Sequence, residues 1–176
     1  MLDKIIKKTP TLAIKIALIL SFCIGGAYEA YLSLVLSNVY FPEITMSMTY
    51  VEYLVVTTIS SWLLYELVVF IISRLILSLK HMFTGSIVEL KKAIALFTIM
   101  LNVALGVLSL IYLCGDIYYD LFSLFVQVLL NTVVYYFAYL YIDKRFVKAQ
   151  FRPNALLLFA IPLVVLNLAN ILGGLL

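Results

Sequence analysis

Five long apolar stretches constrain the fold of this chain more than any other feature of its sequence. They cover approximately residues 11–36, 53–79, 93–114, 118–142 and 154–175. Each is long enough to cross roughly 30 Å of hydrocarbon as a helix. Each is also apolar on every face, without the alternation that the strands of a membrane β-barrel need. The sequence therefore predicts an all-α polytopic membrane protein in which residues 1–176 form a single bundle of five transmembrane helices.

The composition agrees with a bilayer environment. Hydrophobic residues make up 65% of the chain and charged residues 12%, whereas soluble domains are about half apolar and about a quarter charged. The two cysteines, Cys23 and Cys114, form neither a C-x-x-C motif nor a disulfide framework. The single histidine, His81, cannot by itself supply a haem or a histidine-based metal site. We therefore expect no cofactor.

The positions of the basic residues predict the orientation of the bundle. All twelve lie in or next to three segments: the N-terminal residues, the connection between the second and third spans, and the connection between the fourth and fifth spans. The other two connections hold no lysine or arginine and carry acidic residues, namely Glu43, Glu52, Asp116 and Asp120. By the positive-inside rule, the N-terminus is cytoplasmic and the C-terminus lies outside.

Basic residues near the cytoplasmic ends of the spans are candidates for contact with anionic lipid headgroups. They are Lys91, Lys92, Lys144, Arg145, Lys148 and Arg152. The helix of the third span is expected to begin at Ile87, with Ser86 as its N-cap and Glu89 completing a capping box. Gly85 permits the sharp turn before it. This helix would begin along the inner membrane surface, although an ordinary basic flank of a span explains the same residues equally well.

The carboxyl group of Glu66 lies inside the second apolar stretch, near the middle of the bilayer. Because an ionised and unpaired carboxylate is costly at that depth, the side chain should be protonated, partnered or in contact with water. Residues at a similar depth form with it a candidate intramembrane polar cluster: Glu66, Asn102, Gln127, Asn131 and Asn167. Glu29, in the outer part of the first span, is a candidate outer-side acid.

Two interpretations of this cluster remain open. Amides around a carboxylic acid can hold a helical bundle together through hydrogen bonds between helices, each worth about 1 kcal/mol or less. Alternatively, Glu66 and Glu29 can form a path for protons or cations because they lie at different depths. Carriers usually contain broken helices or paired repeats. Here only Pro162 interrupts the interior of a span and no internal repeat is visible, which favours the structural interpretation.

Motifs of enzymes and of nucleic-acid-binding proteins are absent from the sequence. It contains no H-E-x-x-H, G-x-S-x-G, G-x-x-x-x-G-K-[ST] or G-x-G-x-x-G pattern. Asp116 and Asp120 lie four residues apart at the outer edge, but without a second motif they are better explained as solvated ends of spans. The basic clusters are small and close to the bilayer, so headgroups are their nearest anions. We expect a non-enzymatic protein that binds no nucleic acid.

Two segments resemble the Yip1-like superfamily of five-span membrane proteins. Residues 85–110, "GSIVELKKAIALFTIMLNVALGVLSL", are similar to the Gly-Ser turn of that family, which leads through a basic amphipathic stretch into its third span. Residues 154–168, "NALLLFAIPLVVLNL", are similar to its last span, with Ala155 at the start and Pro162 inside. The five-span plan with a cytoplasmic N-terminus agrees as well. The acidic D-L-Y-G-P motif and the long N-terminal region of eukaryotic members are missing.

The resemblance implies a short prokaryotic member of the superfamily, located in the plasma membrane, with a non-enzymatic role in shaping membranes or binding partner proteins. We expect a scaffold, or an accessory subunit of a larger membrane complex. Its partners would be anionic headgroups and either other membrane proteins or further copies of itself. The alternative is a small transporter or channel in which Glu66 is an intramembrane site for a proton or cation.

Overall fold

A computed structural model of the protein describes residues 2–40, 49–115, 121–152 and 164. Five helices fill these segments, namely α1 (Leu2–Lys8), α2 (Thr11–Tyr40), α3 (Tyr50–Ser78), α4 (Ile87–Gly115) and α5 (Leu121–Phe146), and a 3-10 turn follows at Ala149–Phe151. The described segments contain no β-strand, which confirms the all-α prediction. Helices α2 to α5 correspond to the first four predicted spans. The fifth, 154–175, lies outside the described residues apart from residue 164.

Three of these helices contain segments long and apolar enough to cross a membrane: Leu54–Ser78, Ile87–Leu108 and Phe125–Phe146. Helix α1 and the Thr11–Ala27 part of α2 pass the same test when they are taken together, and they are bent by 113° relative to each other. The described residues therefore contain three candidate spans, or four if this bent pair is one span. They indicate an integral membrane protein.

Helices α2 and α4 form the centre of the bundle. Helix α2 packs along both α3 and α4, and α5 packs against α4. In the most apolar stretch of α4, 33% of the residues are buried, compared with 6% in α3 and 11% in α5. Helices α3 and α5 are therefore peripheral, since most of the described apolar side chains of α3 are exposed and few of those of α5 are buried.

Two adjacent glycines allow α2 to approach both of its neighbours closely. Gly25 faces Asn102 on α4, where an added Cβ would lie 3.3 Å from the side-chain oxygen. Gly26 faces Thr58 on α3, where an added Cβ would lie 2.8 Å from the hydroxyl oxygen. In lipid, helices associate largely through van der Waals packing, and small residues at the crossing bring the backbones together. The Gly25–Gly26 pair therefore fixes α2 between α3 and α4.

Four helices meet at one end of the bundle, which we call the α1 end. It comprises α1, the C-terminal turns of α3 and α5, the N-terminal turns of α4 and the connections that follow α3 and α5. Its core consists of buried apolar side chains from all four helices: Ile6, Ile76, Leu90, Ala93, Ile142 and Phe146. This small hydrophobic core holds α1 across the end of the bundle.

The two connections at the α1 end are joined by their backbones. The amide of Thr84 donates a hydrogen bond to the carbonyl of Phe146 at 2.6 Å. The amide of Lys148 donates to the carbonyl of Met82 at 3.0 Å. Between these two hydrogen bonds, one residue of each connection pairs with the other in an isolated antiparallel β-bridge. The end of α5 is therefore fixed to the segment that leads into α4.

The start of α4 agrees with the sequence at three positions. Gly85 has a φ of +89°, which residues with side chains rarely adopt. The hydroxyl of Ser86 accepts a hydrogen bond from the amide of Val88 at 3.2 Å, and the helix begins at Ile87. The predicted capping box, however, does not form, because the Ser86 hydroxyl binds the amide of Val88 and not that of Glu89. Glu89 instead lies 3.7 Å from the guanidinium of Arg145, because that charged partner is within reach on α5.

Candidate functional site

Lys92, on α4, holds the C-terminal end of α1. Its Nζ donates hydrogen bonds to the backbone carbonyls of Ile6 at 3.2 Å and Thr9 at 2.8 Å. The last carbonyls of a helix have no partner within the helix, and they form the negative end of its dipole. The half-buried ammonium group of Lys92 therefore caps α1 with a charge of the favourable sign.

Asp3 attaches the N-terminal part of α1 to α5. Its Oδ1 accepts a hydrogen bond from the hydroxyl of Tyr141 at 2.6 Å and lies 3.5 Å from Nε of Arg145. The hydrogen bond from Tyr141, supported by the charge of Arg145, holds the pKa of Asp3 below its usual value of 3.8. Since Arg145 also reaches Glu89, one network of side chains connects α1, α4 and α5.

Helix α1 turns one apolar side chain into the protein and its basic side chains outward. Ile6 is buried in the core of the α1 end, whereas Lys4, Lys7 and Lys8 are exposed. Because α1 is bent by 113° from α2, it lies across the end of the bundle and does not continue the span. The three lysines therefore belong to the outer surface of the α1 end.

The six basic residues predicted to face headgroups lie in three different environments. Three are exposed and make no ion pair within the described segments: Lys91, Lys144 and Lys148. Two are paired with acids, Arg145 as described above and Arg152 with Nε at 3.4 Å from Oδ2 of Asp143. Lys92 is half-buried and binds α1. The three exposed lysines can therefore contact headgroups. Lys92, Arg145 and Arg152 instead join parts of the α1 end.

Lys92→Met is expected to loosen α1 without unfolding the bundle. The change keeps an unbranched apolar side chain but removes the hydrogen bonds to Ile6 and Thr9. Because hydrogen bonds to charged groups contribute about 1.5–3 kcal/mol, amide exchange in residues 2–9 should become at least about tenfold faster. Hydrogen–deuterium exchange measures this, with Lys91→Met removing the same charge from an exposed neighbour. Equal acceleration in both variants would mean that net charge, and not the Lys92 contacts, holds α1.

Acidification is expected to weaken the attachment of Asp3. Because the pKa of Asp3 is lowered in the folded state, its ionised form contributes stability above the usual pKa of 3.8. That contribution is lost as the pH falls from 3.8 through the folded-state pKa. Amide exchange in α1, corrected for intrinsic rates, should therefore be faster at about pH 3 than at about pH 6. The same acceleration in Asp3→Asn would exclude Asp3 as its cause.

Glu66 lies on the exposed side of α3, in the middle of the candidate span Leu54–Ser78. Its carboxyl group makes no hydrogen bond or ion pair with any other residue that the structure describes. Helix α3 packs along α2, whereas Asn102 and Asn131 belong to α4 and α5. Within the described chain, therefore, Glu66 and these amides do not form the predicted cluster.

Asn102 joins two helices at the centre of the bundle. It is 9% exposed, and its Nδ2 donates a hydrogen bond to the hydroxyl of Ser21 on α2 at 3.1 Å. The Ser21 hydroxyl in turn donates to the carbonyl of Leu18 at 2.7 Å. This contact lies beside Gly25, so the polar and the close-packed parts of the α2–α4 crossing coincide.

Of the other predicted polar residues, the structure describes the side chains of two. Asn131, on α5, is 9% exposed, and its Oδ1 has no hydrogen-bond partner among the described residues. Gln127 lies one turn before it on the same helix. Glu29 belongs to α2, but its side chain is outside the described residues, as is the whole of Asn167.

A regular row of exposed side chains surrounds Glu66 on α3. The row, which we call the Glu66 seam, consists of Ile59, Leu63, Glu66, Phe70 and Leu77. Its spacings of three, four and seven residues keep its members on one helix face. The apolar members are between 50% and 56% exposed. An open groove of ≈ 230 Å³ between α2 and α3 adjoins one end of the seam and is lined by Ile19, Phe22, Thr58, Ile59 and Trp62.

Neither a metal-binding cluster in the described residues nor a known relative indicates a function for this protein. No group of three or more His, Cys, Asp or Glu side chains that could hold a metal ion occurs in residues 2–40, 49–115 and 121–152. In comparisons with known proteins, no family model, curated protein or solved structure matches the chain. The α1 end and the Glu66 seam are therefore the two features of the described structure that bear on function.

Proposed function

We propose that this protein is a non-enzymatic accessory or scaffold subunit of a membrane assembly, and that α3 contacts another transmembrane helix. The observation that carries the proposal is the unpaired carboxyl group of Glu66 on the exposed side of a candidate span. A polar side chain that faces hydrocarbon is unfavourable, and a neighbouring helix that hydrogen-bonds to it removes part of that penalty. Glu66 is therefore a residue that selects a helix partner.

In a five-span arrangement, the α1 end is cytoplasmic and the C-terminus lies outside, because the basic residues gather on the segments of the α1 end. Helix α1 then lies along the interface as an amphipathic helix. The exposed lysines meet anionic headgroups: Lys4, Lys7, Lys8, Lys91, Lys144 and Lys148. A short Yip1-like protein of a prokaryotic plasma membrane fits this plan.

Photocrosslinking in native membranes tests the proposal. Phe70 lies in the Glu66 seam, and Leu75 is also exposed but lies on a different face of α3. A photoreactive phenylalanine analogue at position 70 should form a protein adduct, whereas the analogue at position 75 should react mainly with lipid. The adduct at position 70 should weaken in Glu66→Leu. If position 70 gives only lipid adducts, α3 has no helix partner and the proposal is wrong.

The position of Glu66 in the middle of a candidate span favours a second candidate function, a small transporter or channel with Glu66 as its proton or cation site. This candidate predicts that Glu66→Gln abolishes flux in proteoliposomes while the bundle stays folded. The assembly function instead predicts that Glu66→Gln keeps the contact with the partner helix, because an amide still donates and accepts hydrogen bonds. Flux that is lost in Glu66→Gln, with protein adducts unchanged, would favour the transporter.

A further inference from the structure

We infer that the helix covering the Glu66 seam is α3 of a second copy of this protein, so that two Glu66 carboxyl groups pair across a twofold axis. The inference rests on the proposed function, because it names the partner of the same seam.

The spacing of the seam is that of a helix pair with a left-handed crossing. Ile59, Leu63, Glu66 and Phe70 alternate steps of four and three residues, a mean of about 3.5 that keeps a seam facing a partner helix along its length. Ser73 takes the next position before Leu77. It is a small residue whose hydroxyl already donates to the carbonyl of Val69 at 2.6 Å. The seam therefore continues over five turns of α3, and at its Phe70 position the guanidinium of Arg74 lies over the ring, 5.2 Å from its centroid.

The carboxyl group of Glu66 is self-complementary. When it carries its proton it has one donor and one acceptor, so two such groups form two hydrogen bonds with each other. In a parallel dimer with a twofold axis, each residue near the axis meets its own copy. The symmetry alone then places the two Glu66 side chains at the same depth in the membrane. A different partner would have to supply its own donor at that depth.

The seam also offers space to a second copy. The groove of ≈ 230 Å³ opens beside Ile59 and Trp62, one to two turns from Glu66. Side chains of the second copy at this depth can enter it, which gives the interface a knob-and-hole contact in addition to the polar pair. A single polar position in an otherwise apolar seam fixes the register of the two helices. Glu66 therefore sets the alignment, and the apolar members supply the packing.

Disulfide crosslinking in membranes tests this inference, in a background where Cys23 and Cys114 are replaced by serine. Leu63 and Phe70 flank Glu66 in the seam, and replacing either of them leaves Glu66 itself unchanged. Leu63→Cys and Phe70→Cys should therefore each give a covalent dimer on mild oxidation. Leu64→Cys and Leu75→Cys are matched controls, because these positions are also exposed but lie outside the seam. They should remain monomeric.

The role of Glu66 is tested by combining Leu63→Cys with a second substitution. Glu66→Leu should weaken dimerisation roughly tenfold, the usual effect of removing one strong polar contact between helices in lipid. Glu66→Gln should keep the dimer, since its amide pairs with itself in the same way. Förster transfer between labelled copies at increasing dilution in lipid measures the affinity of the same variants without a disulfide.

The outcomes separate this inference from the proposed function. Crosslinks confined to the seam, lost in Glu66→Leu and kept in Glu66→Gln, support the dimer. Crosslinks that are equally strong in Glu66→Leu overturn the pairing of Glu66. A monomer whose photoreactive position 70 captures a different protein overturns the second copy but leaves the assembly function intact. A monomer that gives only lipid adducts, or only an adduct within its own chain, overturns both.

Discussion

Gly106→Ala is expected to destabilise the bundle, although it adds only one methyl group. The new Cβ would overlap the Cγ2 atom of Ile24 on α2. Because Cγ2 is attached to a branched Cβ, it moves only by a rotation of χ1 or by separation of the two helices. Overpacking costs about 1–3 kcal/mol, which exceeds the roughly 0.5–1 kcal/mol gained by replacing glycine within a helix. Unfolding in SDS, followed by the fluorescence of the single tryptophan, Trp62, measures the loss.

Two companion variants isolate the cause of this loss. Ile24→Ala removes the overlapping atom at a side chain that is 43% exposed, so the double variant should recover most of the stability of the wild type. Val107→Ile adds one carbon at the next position, which is 52% exposed, and should change little. If Gly106→Ala alone is as stable as the wild type, close packing at this crossing does not hold α2 against α4.

The helical class and the start of α4 could be predicted from the sequence because their causes are local. A bilayer imposes a length and a composition on each span, and both can be counted along the chain. The turn before α4 needs a residue that tolerates positive φ, and the first turn of the helix needs a side-chain acceptor for its free amides. Gly85 and Ser86 satisfy these needs within three residues of Ile87.

The neighbours of each helix could not be predicted in the same way, because they depend on residues that are distant in the sequence. The predicted cluster assumed that Glu66 faces the centre of the bundle. Helix α3 instead turns Thr58 toward Gly26 of α2, and this rotation leaves Glu66 exposed. A signal was present in the sequence, since small residues are enriched where helices cross closely in membranes. Consecutive residues lie about 100° apart on a helix, so Gly25 and Gly26 point to different neighbours.

The bend between α1 and α2 also had a local signal. A residue that precedes proline is disfavoured in the helical conformation, and Thr9 precedes Pro10 at the bend. The direction in which α1 then turns has no local cause. It depends on the hydrogen bond from Lys92 to Ile6, which are 86 residues apart in sequence. The break could therefore be expected from the sequence, whereas the docking of α1 could not.

Phe146→Ala is expected to release α1 from the rest of the protein. The ring is 2% exposed and lies in the same small core as Ile6. Gly85 approaches it so closely that an added Cβ would lie 3.3 Å from a ring carbon. Truncating a buried phenylalanine costs about 3–5 kcal/mol, so trypsin should cleave after the lysines of α1 more than about tenfold faster. Limited proteolysis of the purified protein, followed by mass spectrometry, measures the rate.

Phe137→Ala is the matched control for this variant. Phe137 lies on the same helix but is 58% exposed, so truncating it leaves no cavity and α1 should stay protected. Equal protection of α1 in both variants would show that its hydrophobic core does not hold it. The contacts of Lys92 and Asp3 would then have to account for the docking on their own. Faster cleavage in Phe146→Ala alone would instead show that the polar contacts of α1 depend on the apolar core that positions them.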